Sequence, residues 1–184
     1  EKLVVKKKIV ISDTAPLYPP LWGGPKRIWG LISPLDKNLF DIVYVGLDIH
    51  KEFLEVKQVA PHIRQVLVPF PPHYFKYWQK FHEKYLKDLS FDLFTYFFPK
   101  TVKEYVQAIE SERADILVAS HPWAALAMKK HDRQVFIYDA HNCEVDLMRS
   151  LSCLKWYSPL LTFITKKIEG AACKKSDAIL ICAD

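Results

Sequence analysis

Histidine, carboxylate and amide side chains crowd one short stretch of this sequence, "DAHNCE", where Asp139, His141, Asn142 and Glu144 follow a run of apolar residues. Imidazoles and carboxylates at this spacing can exchange protons or hold hydroxyl groups. Four polar groups at the end of a buried strand all need partners, so packing alone accounts for them poorly. A second point is "SHPWAALA", in which His121 follows another apolar run and leads into a helix with Pro122 near its first position. A capping or packing role and a cleft-facing role both stay open for His121. The third is "LWGGPKR", where Gly23 and Gly24 are adjacent in a chain that has only 5 glycines. Such a pair permits backbone conformations that other residues avoid, and Pro25 suits the first position of a helix. Free amides at a helix start, with Lys26 and Arg27 beside them, make an anion-binding arrangement. A plain turn is the other reading.

Several chemistries are excluded by pattern. The Gly-Gly loop is not GxGxxG, and no acidic residue at the usual spacing completes a dinucleotide fingerprint. There is no GxSxG elbow, and Ser120 and His121 are sequence neighbours, which rules out a nucleophile triad built on them. No HExxH or similar metal spacing occurs. The cysteines, Cys143, Cys153, Cys173 and Cys182, form no CxxC pair, so they are expected as reduced thiols and neither a metal nor a cofactor is expected.

These residues need a scaffold. The chain has 184 residues, 50% hydrophobic and 26% charged, which is the composition of one globular domain. Its net charge of +5 is mild, and its lysines alternate with apolar faces as solvated surface does, so nucleic acid is not an expected partner. No run reaches the ~18 apolar residues of a membrane span. "EKLVVKKKIVIS" runs straight into a strand, and no signal peptide is expected.

Short apolar runs alternate with helical patterns. "KKIVIS" (7–12), "DIVYVGL" (41–47), "ADILVAS" (114–120), "QVFIYDA" (134–140) and "DAILICAD" read as strands, the first as one buried on both faces. "FLEVKQV" and "IRQVLVPF" read as two strands around an Ala60–Pro61 turn. Ile28, Leu31, Ile32 and Leu35 predict a helix face that Pro34 shortens. Val102, Tyr105, Val106 and Ile109 predict another, and "AALAMKK" is helical. A long helix should place Leu160, Leu161, Ile164, Ile168, Ala171 and Ala172 on one face, with Lys166, Lys167, Lys174 and Lys175 away from it. Between them, 70–98 holds twelve aromatics in 29 residues. Packing against the sheet is one reading of that segment. A greasy surface touching an anionic membrane, edged by Lys76, Lys80, Lys84 and Lys87, is the other. Helices joining apolar strands in this order predict an α/β fold: a Rossmann-like, doubly wound, mainly parallel sheet with helices on both faces, whose strand C-termini carry the site.

In combination, "PLWGGPKR", "ADILVASHPWAALA", "YDAHNCE" and "KKIEGAACKKSDAILICAD" resemble, in order, the N-terminal half of a GT-B glycosyltransferase of the retaining family 4 (glycosyl transferases group 1) type. The resemblance implies an acceptor-side domain over residues 1–184 and a C-terminal donor-binding domain beyond this chain. It implies transfer of a sugar from a nucleotide-diphosphate sugar to an acceptor hydroxyl of a glycan or lipid-linked sugar, with the anomeric configuration kept. His121 then corresponds to a histidine beside the transferring sugar, Gly23 and Gly24 lie near the donor diphosphate or the acceptor, and His141 and Asn142 face the cleft. Lys26, Arg27, Asp139 and Glu144 are further substrate-binding candidates. The departing diphosphate can itself take the acceptor proton, so His121 is expected to position and hydrogen-bond more than to act as a base. The fragment alone is expected to fold without catalysing, and a cytoplasmic location, peripheral on the inner membrane face, is the expected setting. A non-catalytic binding module on the same scaffold and half of a GT-B nucleotide-sugar epimerase are the competing readings.

Overall fold

A computed structural model describes residues 5–48, 50–70, 99–152, 156 and 158–181. Its strands are β1 (Lys7–Ser12), β2 (Phe40–Asp48), β3 (Glu55–Ala60), β4 (Ile63–Pro69), β5 (Ile116–Ala119), β6 (Val135–Ala140) and β7 (Ala178–Ile181). Its helices are α1 (Gly23–Ile32), α2 (Pro99–Glu110), α3 (Pro122–Ala127), α4 (Glu144–Ser152) and α5 (Ser158–Lys175). The strands form one sheet in the order β3-β4-β2-β1-β5-β6-β7. Every pairing is parallel except the β3–β4 hairpin.

Sequence pattern explains the layers. Consecutive strand residues point to opposite faces, and here both faces are covered. Ile9 and Ile11 of β1 share a buried cluster with Ile28 and Ile32 of α1. Val10, between them, belongs to the opposite cluster with Tyr105 and Ile109 of α2, Trp123 of α3 and Leu161 and Ala172 of α5. That is why the central strands read as unbroken apolar runs: Ile42 to Leu47 are all buried. The fold is thus the expected Rossmann-like α/β sheet.

The chain winds outward from β1 through β2 to the β3–β4 hairpin, then crosses back to β5, β6 and β7. β1 and β5 are therefore neighbours whose outgoing connections leave in opposite directions, which opens a crevice at their C-terminal ends.

Three local expectations change. α1 begins at Gly23, with Trp22 as its N-cap, so Pro25 is its third residue; its buried face is Pro25, Ile28 and Ile32, while Leu31 is exposed. α3 ends at Ala127, short of the lysines that follow. On α5 the buried line is Leu161, Thr165 and Ala172 with Ile164 and Ile168 half-buried, and Leu160 and Ala171 face solvent. Lys175 is not a solvated lysine, because its ammonium donates to the carbonyls of Ala125 and Met128 at the end of α3. Most of the aromatic segment, 71–98, and with it the membrane-surface expectation, lies outside the described residues, as do Cys153 and Cys182. No helix among the described residues is long and apolar enough to cross a membrane.

Candidate functional site at the carboxyl ends of the strands

The polar residues singled out by type lie at strand ends or in the first turns of helices, and the parallel sheet brings most of them to one edge. His121 leaves β5 and is the N-cap residue of α3; its side chain makes no capping hydrogen bond. Asp139 is the penultimate residue of β6 and is 2% exposed. Its carboxylate accepts from Arg27 at 2.7 Å and pairs with His141 Nε2 at 3.0 Å, joining the first turns of α1 to the end of β6. Burial alone would raise its pKa, but the hydrogen bonds from His141 and Arg27 outweigh that and hold it below the usual carboxylate value.

The His141 ring lies 4.7 Å from that of His121, tilted by 57°. Glu144 opens α4 and is buried, with Oε1 3.3 Å from His121 Nδ1. Its backbone amide and that of Val145 donate to Glu169 of α5 at 3.0 and 3.2 Å. Glu169 therefore caps α4 from a neighbouring helix, and the Glu144 side chain is left to face the crevice.

Gly24 also belongs to the cluster, for an unexpected reason. Among the described residues no glycine has a positive φ, so the pair does not serve an unusual backbone conformation. A methyl group on Gly24 would sit 3.6 Å from the His141 ring, in contact with it, and one on Gly23 would meet nothing within 4 Å. The pair keeps the first turn of α1 bare. Lys26 donates its amide to the Trp22 carbonyl, which starts the helical ladder; its side chain is exposed, as is Asn142, and among the described residues neither bonds to the cluster's side chains. The amides of Gly23 and Gly24 precede that first bond.

Asp13, which pattern alone did not single out, completes the arrangement. It is the first residue beyond β1, 3% exposed, with Oδ1 3.9 Å from His121 Nε2. Its loop is tightly fixed. Thr14 N–H donates to Asp13 Oδ1, Tyr105 O–H donates to the Asp13 carbonyl at 2.9 Å, and Tyr44 O–H donates to the Ala15 carbonyl at 2.7 Å. Gln65 Oε1 accepts from the amides of Leu17 and Tyr18, both at 2.8 Å. A polar residue inside a buried strand run, such as Gln65 in β4, is the signal that points to this loop.

The electrostatics follow. Asp13, Asp139 and Glu144 are buried carboxylates, and among the described residues the one permanent cation joined to them is Arg27, which pairs with Asp139. With neutral imidazoles the cluster is net negative. It suits hydroxyl groups, which donate to carboxylates, better than it suits a diphosphate. Among the described residues no group of three or more His, Cys, Asp or Glu has metal-binding geometry. A cavity of about 410 Å³ lies at the opposite edge, near Arg113, Leu117, Lys129 and Arg133. Arg113, Lys129 and Arg133 around it are exposed.

No protein-family model matches the chain, and no curated protein sequence does. Among solved structures it is similar to sucrose-phosphate synthase from Thermosynechococcus elongatus, with TM-score 0.64 and 9% identity over 95% of this chain and 42% of that one. A second structure of sucrose-phosphate synthase from the same organism gives TM-score 0.54 and 8% identity over 96% of this chain and 77% of that one. At such identities the likeness is one of fold: the chain shares the Rossmann-like α/β sheet of these structures. It spans less than half the length of the first of these structures.

Proposed function

We propose that the chain is the acceptor-side domain of a glycosyltransferase that moves a sugar from a nucleotide-diphosphate donor to an acceptor hydroxyl with retention of configuration. The observation that carries this reading is the convergence of His121, Asp13, Glu144, His141 and Asp139 at the switch point of the sheet. The GT-B-type fold gives that crevice a class, and the buried carboxylates give it a taste for hydroxyl-rich ligands.

In this reading His121 and its carboxylate neighbours bind and orient the acceptor hydroxyl. Arg27 and Asp139 lock the first turn of α1 to β6, so the bare Gly23–Gly24 turn is presented at a fixed distance from His141. Its unbonded amides stabilise negative charge developing on a departing diphosphate. Lys26 adds a nearby positive charge, and Asn142 a polar group at the rim. The donor itself is held chiefly by a second domain, and the departing phosphate takes the acceptor proton, so no side chain here has to act as base. A glycan or lipid-linked sugar is the proposed acceptor class, and contact with an anionic membrane through the aromatic segment follows from the second.

The test is a panel of nucleotide sugars incubated with the complete native polypeptide and saccharide acceptors, with the product's anomeric configuration read by proton NMR. Transfer with retention is expected. Hydrolysis or epimerisation without an acceptor, or no turnover of any donor, would contradict the proposal.

A further inference from the structure

His121 is the N-cap residue of α3, a helix of six residues. So short a helix has little stability of its own, and its position depends on what holds it from outside. Ala125 N–H donates to the His121 carbonyl and Met128 N–H to the Ala124 carbonyl, both at 3.2 Å. His121 and the end of α3 therefore belong to one hydrogen-bonded unit. Trp123, Ala124 and Ala125 bury one face of that unit in the core. Apolar burial is non-directional, so it fixes the depth of the helix better than its slide or rotation. Directional bonds have to set those.

They come from α5. The Lys175 ammonium donates to the Ala125 carbonyl at 2.8 Å and to the Met128 carbonyl, acceptors of the kind that a helix end leaves without an intrahelical donor. It also lies 4.9 Å from the centre of the Phe136 ring on β6, an attractive placement for a cation. Burial holds its pKa below the usual lysine value, a desolvation cost that these bonds offset. A second tie runs beside it: Lys130 pairs with Asp177, which accepts from the Phe136 amide at 2.7 Å. The side chains of Lys130 and Asp177 are 32% and 43% exposed, a setting in which ion pairs contribute little. Lys175 is the stronger hold. At 1.5 Å per residue α3 is about 9 Å long, so a shift at its Met128 end is carried to His121. There the His121 ring lies 4.7 Å from that of His141, close enough for small movements of α3 to register.

We propose that Lys175 is a positioning residue for His121: its ammonium clamps the end of α3 and so sets where the imidazole stands in the crevice. The clamp rests on these contacts, and only its effect on sugar transfer rests on the glycosyltransferase reading.

The ring-proton NMR resonances of His121 in the complete native polypeptide read this placement without turnover, because they respond to the neighbouring His141 ring. Lys175→Met keeps the apolar stem, removes the ammonium and is expected to move those resonances. Lys174→Met, at the adjacent exposed lysine, is expected to leave them in place. Unchanged His121 resonances in Lys175→Met, or equal movement in Lys174→Met, would overturn the clamp. Should Lys175→Met fail to fold, Lys175→Gln, with a polar end on a shorter stem, is judged by the same two outcomes. Kinetics then separate positioning from general stability. Lys175→Met is expected to lower kcat/KM for transfer by about 10- to 100-fold, the scale of a misplaced group. In a His121→Ala background the same substitution is expected to change kcat/KM by less than about 2-fold, since two residues acting as one unit are not additive. An equal loss in both backgrounds would overturn action through His121. Failure of the transferase reading would instead appear as absent sugar transfer by the native polypeptide with the resonances as expected.

Discussion

Asp139 shows how one buried carboxylate sets both geometry and pH response. Its partners, His141 and Arg27, hold its pKa below the ordinary 3.8 against the effect of burial. The unfolded chain therefore binds the proton more readily, so the stabilisation is present above about 3.8 and is lost as pH falls through the folded value. Asp139→Asn is expected to flatten the acid limb of stability below that point and to cost about 2 kcal/mol at neutral pH, the scale of hydrogen bonds to a charged group. Denaturant midpoints measured against pH check this, and an acid limb as steep as the native one would contradict it. His121, His141, Asp139, Glu144 and Arg27 were visible in the sequence because each lies just after an apolar run or at a helix start. Asp13 was not, although it occupies the equivalent position after β1. A lone aspartate there carries no motif, and only the three-dimensional approach to His121 marks it.

At the scale of elements, the loop leaving β1 is held by residues whose roles cannot be inferred from periodicity. Gly46 in β2 has no room for a side chain, because a methyl group there would lie 2.4 Å from the Ala15 carbonyl oxygen. Gly46→Ala is expected to cost about 1–3 kcal/mol through overpacking and to displace the Asp13 loop. A melting temperature equal to the native one would contradict this. Gln65→Leu removes the acceptor of two amides, Leu17 and Tyr18, at about 1–3 kcal/mol for each left buried without a partner. Chemical denaturation would show that loss, and a midpoint unchanged from native would count against the role given to Gln65. The strands themselves were legible from their β-branched runs. The start of α1 was not, because Trp22 offers no capping side chain and the two glycines carry the signature of a turn. On α5 the apolar pattern is wider than the stripe that packs, which leaves Leu160 exposed.

For the whole molecule, the order of elements along the chain already implied a doubly wound, mainly parallel sheet covered on both faces, and the sheet has that form. The chemistry at the switch point was legible only as residue types, since their distances depend on strand order, which no local pattern encodes. If the acceptor side is the role of this domain, residues 1–184 in isolation should show cooperative unfolding and no sugar transfer. Appreciable turnover of a nucleotide sugar by the isolated chain would contradict that division of labour. The most direct measurement is the transfer rate of the complete native polypeptide with His121→Ala, compared with native at equal circular dichroism. A fall of about 100-fold or more in kcat/KM, the scale of losing one preorganised hydrogen-bonding group, is predicted. A rate equal to native would remove His121, and with it this crevice, from the reaction.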